Sequence, residues 1–225
     1  MRNLCLFILP ALFFACAPGR FVEPLDKGTF SVGGNFGGPL IEYPPAVIPV
    51  PFLAVEGGYG VDTNLTVHGG LNLTSAIFGN VHVDGGITYR LVEQKKYIPN
   101  VSVSPSFQFV WDVYDHKATC WPVVDANAYW NYGVRKNYFY TGINNYFDLS
   151  KTMANDLPVE HRWLFSPQFG HVLKSKSGNF QFTAEIKLCG VFLNSKYSFI
   201  PWTGITADAG ATGVYFGFRW LIPQH

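Results

Sequence analysis

Residues 61–74 read Val-Asp-Thr-Asn-Leu-Thr-Val-His-Gly-Gly-Leu-Asn-Leu-Thr, which puts Leu65, Val67, Leu71 and Leu73 on one face of an extended chain and Asn64, Thr66, His68, Asn72 and Thr74 on the other. Residues two apart in a strand share a face, so this is a two-faced strand. The alternation recurs down the chain, while beyond the N-terminal segment no apolar run approaches the ~20 residues that a membrane-spanning helix needs. Within lipid every backbone polar group must be satisfied by the protein itself, and for strands only a closed barrel does this. The periodicity predicts an all-β chain folded as a ten-stranded antiparallel up-and-down transmembrane β-barrel.

Ten strands are predicted, at about 28–37, 52–61, 64–75, 79–91, 99–114, 121–132, 137–149, 162–173, 179–192 and 211–222. The clearest is the fourth, where Val81, Val83, Ile87, Tyr89 and Leu91 stand against His82, Asp84, Gly86, Thr88 and Arg90. Pro105 predicts a bend or bulge in the fifth strand, and Ser166-Pro167 interrupts the eighth. The connections largely alternate in length. Those at 62–63, 133–136 and 174–178 are short, whereas 38–51, 115–120, 150–161 and 193–210 are longer, as in barrels with short periplasmic turns and long outer loops. An even strand count then leaves both termini periplasmic.

A soluble barrel would also alternate, but it would offer charged residues to water. Here only 14% of residues are charged against 48% hydrophobic and 17% aromatic, and the polar faces hold mostly Ser, Thr, Asn and Gly. Tyr59, Tyr89, Trp111, Trp130 and Trp220 lie near strand ends on the apolar face, where membrane-interface girdles belong. A net charge of +1 with dispersed Lys and Arg argues against nucleic acid as a partner.

The chain opens with Met1-Arg2-Asn3, an apolar core over Leu4 to Phe14, and Ala15-Cys16-Ala17-Pro18-Gly19. This is a secretory signal, too short for a transmembrane helix. A small residue followed by Cys16 resembles the lipobox of bacterial lipoproteins, which implies cleavage before Cys16 and acylation there. Cutting after Ala17 is the alternative. The expected organisation is a signal over 1–16, a periplasmic tether over 17–27 and the barrel over 28–222. With Cys5 removed and Cys16 acylated, Cys120 and Cys189 remain, either paired or apart.

The alternation points Glu56, His68, His82, Asp84, Arg90, Asp112, Asp125, Glu185, Lys187 and Arg219 into the lumen. In a narrow barrel such charges pair with one another and fill the tube, or line a route for ions or small solutes. His82 and Asp84 share a face and could form a base with its orienting carboxylate. Asp-x-Asp, Asp-x-His and His-x-Ser pairs are all absent from the sequence, as are a serine nucleophile elbow, a phosphate loop and a zinc spacing. No catalytic residue, metal site or cofactor is therefore predicted.

The run Tyr59-Gly60-Val61-Asp62-Thr63-Asn64-Leu65-Thr66-Val67 and the close Gly213-Val214-Tyr215-Phe216-Gly217-Phe218-Arg219-Trp220 resemble the hairpins and final strand of bacterial outer-membrane β-barrel proteins. With the lipobox-like start, the chain looks like the small barrel lipoproteins of Bacteroidota-type bacteria. The resemblance implies an outer-membrane location, with contacts to membrane lipid, lipopolysaccharide and the barrel-assembly machinery. It implies no reaction. The expected role is structural or a narrow solute pathway. The alternatives are a barrel enzyme acting on lipid or peptide, or a surface interaction protein using Tyr43, Pro44, Pro45, Tyr197, Phe199, Ile200, Pro201 and Trp202.

Overall fold

The computed structural model describes residues 21–150, 159, 161–194, 202–204 and 209–224. Ten long strands form the barrel wall: β1 (Thr29–Tyr43), β3 (Phe52–Asp62), β4 (Leu65–Asn72), β5 (Asn80–Val92), β6 (Asn100–Asp112), β7 (Ala118–Tyr132), β8 (Asn137–Phe147), β9 (Trp163–Lys174), β10 (Phe180–Asn194) and β11 (Ala209–Pro223). Each pairs antiparallel with its sequence neighbours in the wall, and β1 pairs with β11 from Thr29↔Pro223 to Pro39↔Gly213. That last ladder closes the barrel and leaves the wall without a free edge.

Four local features differ from the sequence reading. The first strand runs on past the membrane-facing part to Tyr43 and folds back through a short β2 (Ala46–Pro49), so part of the proline-rich 39–51 loop is a projecting hairpin. The third strand stops at Asn72. Its side chain accepts a hydrogen bond from Ser75 N at 2.9 Å and caps a five-residue helix, α1 (Leu73–Ile77), because a short Asx side chain satisfies a free helical N–H better than it extends a strand.

Pro105 makes no bulge. β6 stays in one register with β7 from Asn100↔Tyr129 to Trp111↔Ala118. On the β5 side, pairing lapses between Gly86↔Ser106 and Tyr89↔Val103 and resumes in the same register. Thr88 Oγ1 and Ser104 Oγ, 2.8 Å apart, bridge that gap from inside. Ser166-Pro167 likewise leaves β9 whole, with Pro167 opposite Ile143 in an unbroken ladder.

The wall has two unlike surfaces. Val32, Val55, Val67, Ile87, Phe107, Ile143, Phe169, Ile186 and Phe218 are among the large apolar side chains exposed on its outside. Buried within are Ser31, Asn35, Thr66, Thr88, Ser102, Ser104, Asn127 and Gln168. At the end where the wall begins and finishes, called the near end here, ring pairs Phe30–Tyr59 (4.6 Å), Trp130–Phe139 (5.3 Å) and Phe180–Trp220 (6.3 Å) form an outer girdle. At the far end Trp163 meets Phe165 edge-on and Phe165 stacks on Phe192, with centroids 5.7 and 5.8 Å apart.

Cys120 lies exposed on β7, whereas Cys189 is on β10 with its Sγ 3.8 Å from Tyr215 Oη. Strands β8 and β9 stand between them, and the two thiols do not pair with each other.

Candidate functional site

Inside the barrel, charged side chains gather in two groups. On β3 and β11, Arg219 Nη2 and Nε donate to Glu56 Oε1 at 2.7 and 3.2 Å, Asn35 Nδ2 donates to Glu56 Oε2 at 2.7 Å, and Arg219 Nη1 reaches Gln181 Oε1 at 3.5 Å. The pair is nearly shielded from solvent. On β10, Lys187 Nζ lies 3.5 Å from Glu185 Oε1, and Tyr140 Oη donates to Glu185 Oε2 at 2.6 Å. Lys187 also sits 5.7 Å from the centre of the Tyr215 ring. Both groups follow the rule that a buried charge needs an opposite charge and further hydrogen bonds.

The remaining site residues named from the sequence are spread along the wall. His82 is buried with Nε2 3.2 Å from Gln108 Oε1, an oxygen that also accepts from Tyr146 Oη at 3.3 Å. Asp84 is half-buried opposite Gln108 and Gly70, and Asp125 accepts from Asn144 Nδ2 at 2.8 Å. Arg90 leaves the lumen for the near rim, where Nε and Nη2 hold Asn64 Oδ1 at 2.9 and 2.6 Å and Nη2 holds the Thr63 carbonyl at 3.2 Å. Asp112 works at the far rim, accepting from the N–H groups of Tyr114 and Asp115 at 2.8 and 3.0 Å in the turn to β7. Cys16, Tyr197, Phe199, Ile200 and Pro201 lie outside the described residues.

The feature that sequence reasoning missed is the segment ahead of β1. Residues 21–27, expected as part of a tether, fold back into the barrel as a strap across its near half. Phe21, Val22 and Leu25 are 2%, 2% and 4% exposed. The Phe21 ring stacks on His68, centroids 5.1 Å apart, and the Arg219 guanidinium lies 3.8 Å from the ring centre on a cation–π contact. Val22 joins Tyr129, Tyr138, Tyr140 and Val172 in the buried apolar cluster.

Hydroxyls of the wall hold the strap backbone: Ser102 Oγ donates to Val22 O at 2.6 Å, and Leu25 N donates to Thr66 Oγ1 at 2.7 Å. Glu23 takes an ion pair from Lys174 and a hydrogen bond from Asn131 Nδ2 at 3.0 Å. The wall is cut to fit. A Cβ on Gly58 would stand 2.5 Å from the Phe21 ring, and one on Gly60 would stand 2.1 Å from the Asp26 carbonyl oxygen.

The strap's energetics are close to balanced. Burying its three apolar side chains at about 1.5–3 kcal/mol each, plus the four polar contacts at about 1 kcal/mol each, contributes on the order of 10 kcal/mol. Ordering the seven residues costs about 1–2 kcal/mol apiece, which is also on the order of 10 kcal/mol. In the sequence the strap has no periodicity to announce it. The available clue was on the wall, where Gly58, Gly60, Thr66 and Ser102 leave the inward face of adjacent strands unfilled.

A closed antiparallel wall that is apolar outside and polar inside defines a transmembrane β-barrel. Solved structures with a similar arrangement include the NanC porin (10% identity, covering 86% of this chain and 99% of that one, TM-score 0.44). Others are the outer-membrane protein OprG from Pseudomonas aeruginosa (11%, 90% and 100%, 0.32) and the attachment invasion locus protein Ail of Yersinia pestis (12%, 87% and 99%, 0.28). No protein-family model and no curated protein sequence matches the chain.

Proposed function

We propose that this chain is an integral protein of the bacterial outer membrane and that its lumen is a narrow passive route for small hydrophilic solutes. The observation that carries the reading is the contrast between its surfaces: an exposed apolar belt between two aromatic girdles, and an interior where Gly70, Asp84, Gly86, Ser106, Gln108 and Asp125 keep partial access to solvent. The girdles match the two interfaces of a bilayer, and the short near-end turns suit the periplasmic side.

Acylation of Cys16 belongs to the same reading. The five residues from Cys16 to Phe21 reach at most ~18 Å, so the acyl chains would enter the near leaflet. Lipopolysaccharide around the far rim and the assembly machinery that inserts the barrel are its expected partners. A second reading, a membrane scaffold that moves nothing, is favoured by the fully buried Lys187–Glu185 pair and the Tyr129, Tyr138, Tyr140 and Tyr215 side chains that occupy much of the interior.

Conductance of the purified protein in a planar bilayer decides between them. A route predicts brief, small openings in KCl whose amplitude changes in Glu185→Gln or Lys187→Met. A silent membrane with correctly folded protein and with every strap variant described below selects the scaffold.

A further inference from the structure

We propose that residues 21–27 are a gate, closing a passage that runs along the β1–β6 side of the barrel. The inference rests on the solute-route reading above. Beneath the strap, five adjacent wall strands present mostly small side chains, Ser31 on β1, Gly58 and Gly60 on β3, Thr66 on β4, Thr88 on β5 and Ser102 on β6, with the His68 ring of β4 against Phe21. The opposite wall, β7 to β9, carries Tyr129, Tyr138, Tyr140 and Val172 at the same level.

The glycines of β3 leave space on this side of the lumen that the strap fills: a Cβ on Gly58 would meet the Phe21 ring and one on Gly60 the Asp26 carbonyl, and Phe21, Val22 and Leu25 are buried there. Further toward the far end the lining is polar and partly reached by solvent, at Gly70, Asp84, Gly86, Ser106 and Gln108. Phe21 blocks this side of the lumen, held between His68 and Arg219.

The manner of attachment suits a part that moves. The strap joins no strand of the sheet. Beyond the turn bond from Thr29 N to Asp26 O at 3.0 Å, which ties its end to β1, its backbone is held at Val22 and Leu25 by single hydroxyls, Ser102 and Thr66, which water can replace. Its ion-paired side chain, Glu23 on Lys174 and Asn131, lies at the near mouth, where solvent reaches it. On withdrawal Arg219 keeps Glu56, and Lys174 and Asn131 remain at the rim, so the wall loses no buried charge pair of its own.

The test is single-channel recording of the full-length protein in KCl, in three forms. The native chain is expected to be closed most of the time. Phe21→Ala with Leu25→Ala, which leaves the wall untouched, is expected to raise the open probability ~100-fold through loss of two buried anchors. The third form is a lock. Leu25→Cys with Thr66→Cys, made with Cys120→Ser and Cys189→Ser, uses the 2.7 Å contact of Leu25 N with Thr66 Oγ1, which holds the two Cα atoms within about 6.6 Å, inside the range that a disulfide spans.

The oxidised lock should be silent, and reductant should restore openings. Migration of unboiled protein on a gel verifies that each variant is a closed barrel. Oxidised and reduced lock conducting alike would overturn the gate and leave the route standing. No current from the loosened variant or the reduced lock would overturn the route and the gate together.

Discussion

Arg219 sits between the Glu56 carboxylate and the Phe21 ring, so one substitution there removes an ion pair and a cation–π contact. Arg219→Met leaves Glu56 buried beside Asn35 without its cation, and the expected loss is about 3–5 kcal/mol. Adding Glu56→Gln should recover most of that, since the remaining amide can be satisfied by neutral neighbours. Urea titration of the folded barrel in detergent, following loss of the fast-migrating gel band, measures both. A pair contributing only through packing would instead show additive losses.

At the scale of the strand, depth decides what an outward position tolerates. Ile143 lies near the middle of β8 with its side chain exposed, whereas Leu149 lies just past that strand's end. Ile143→Arg should destabilise the membrane-inserted barrel by about 2–4 kcal/mol and Leu149→Arg by ~0–1 kcal/mol, read by refolding into lipid vesicles at graded urea. Equal costs at the two positions would contradict the membrane boundaries drawn from the girdles. The elements also show where alternation was enough and where it was not. The period of two located all ten wall strands, including β9 across Pro167. It missed α1, because the Asn72 cap overrode two further residues of good strand pattern.

Closure is a property of the whole molecule, and it has a direct signature. Unboiled protein should migrate faster than boiled protein, and the shift should be indifferent to reductant, since β8 and β9 separate the strands of Cys120 and Cys189. A band that moved only after reduction would mean that a disulfide, not the β1–β11 ladder, holds the ends together. The strap belongs to this scale too. It draws on His68 of β4, Ser102 of β6, Asn131 of β7, Lys174 of β9 and Arg219 of β11, which only the closed wall brings to one place.

By itself the sequence determined the strand count and the two faces of each strand, because side-chain direction in a strand depends only on local parity, whereas Arg90 and Asp112 turn to the rims. It also located the near aromatic girdle in part, through Tyr59, Trp130 and Trp220 near the strand ends. Tertiary structure alone decided which inward charges meet, Arg219 with Glu56 across 163 positions of sequence, and that residues 21–27 turn back into the lumen. Those outcomes depend on ring closure and on the space left over inside it. Space of that kind is set by all the strands together, so no local pattern in the chain encodes it.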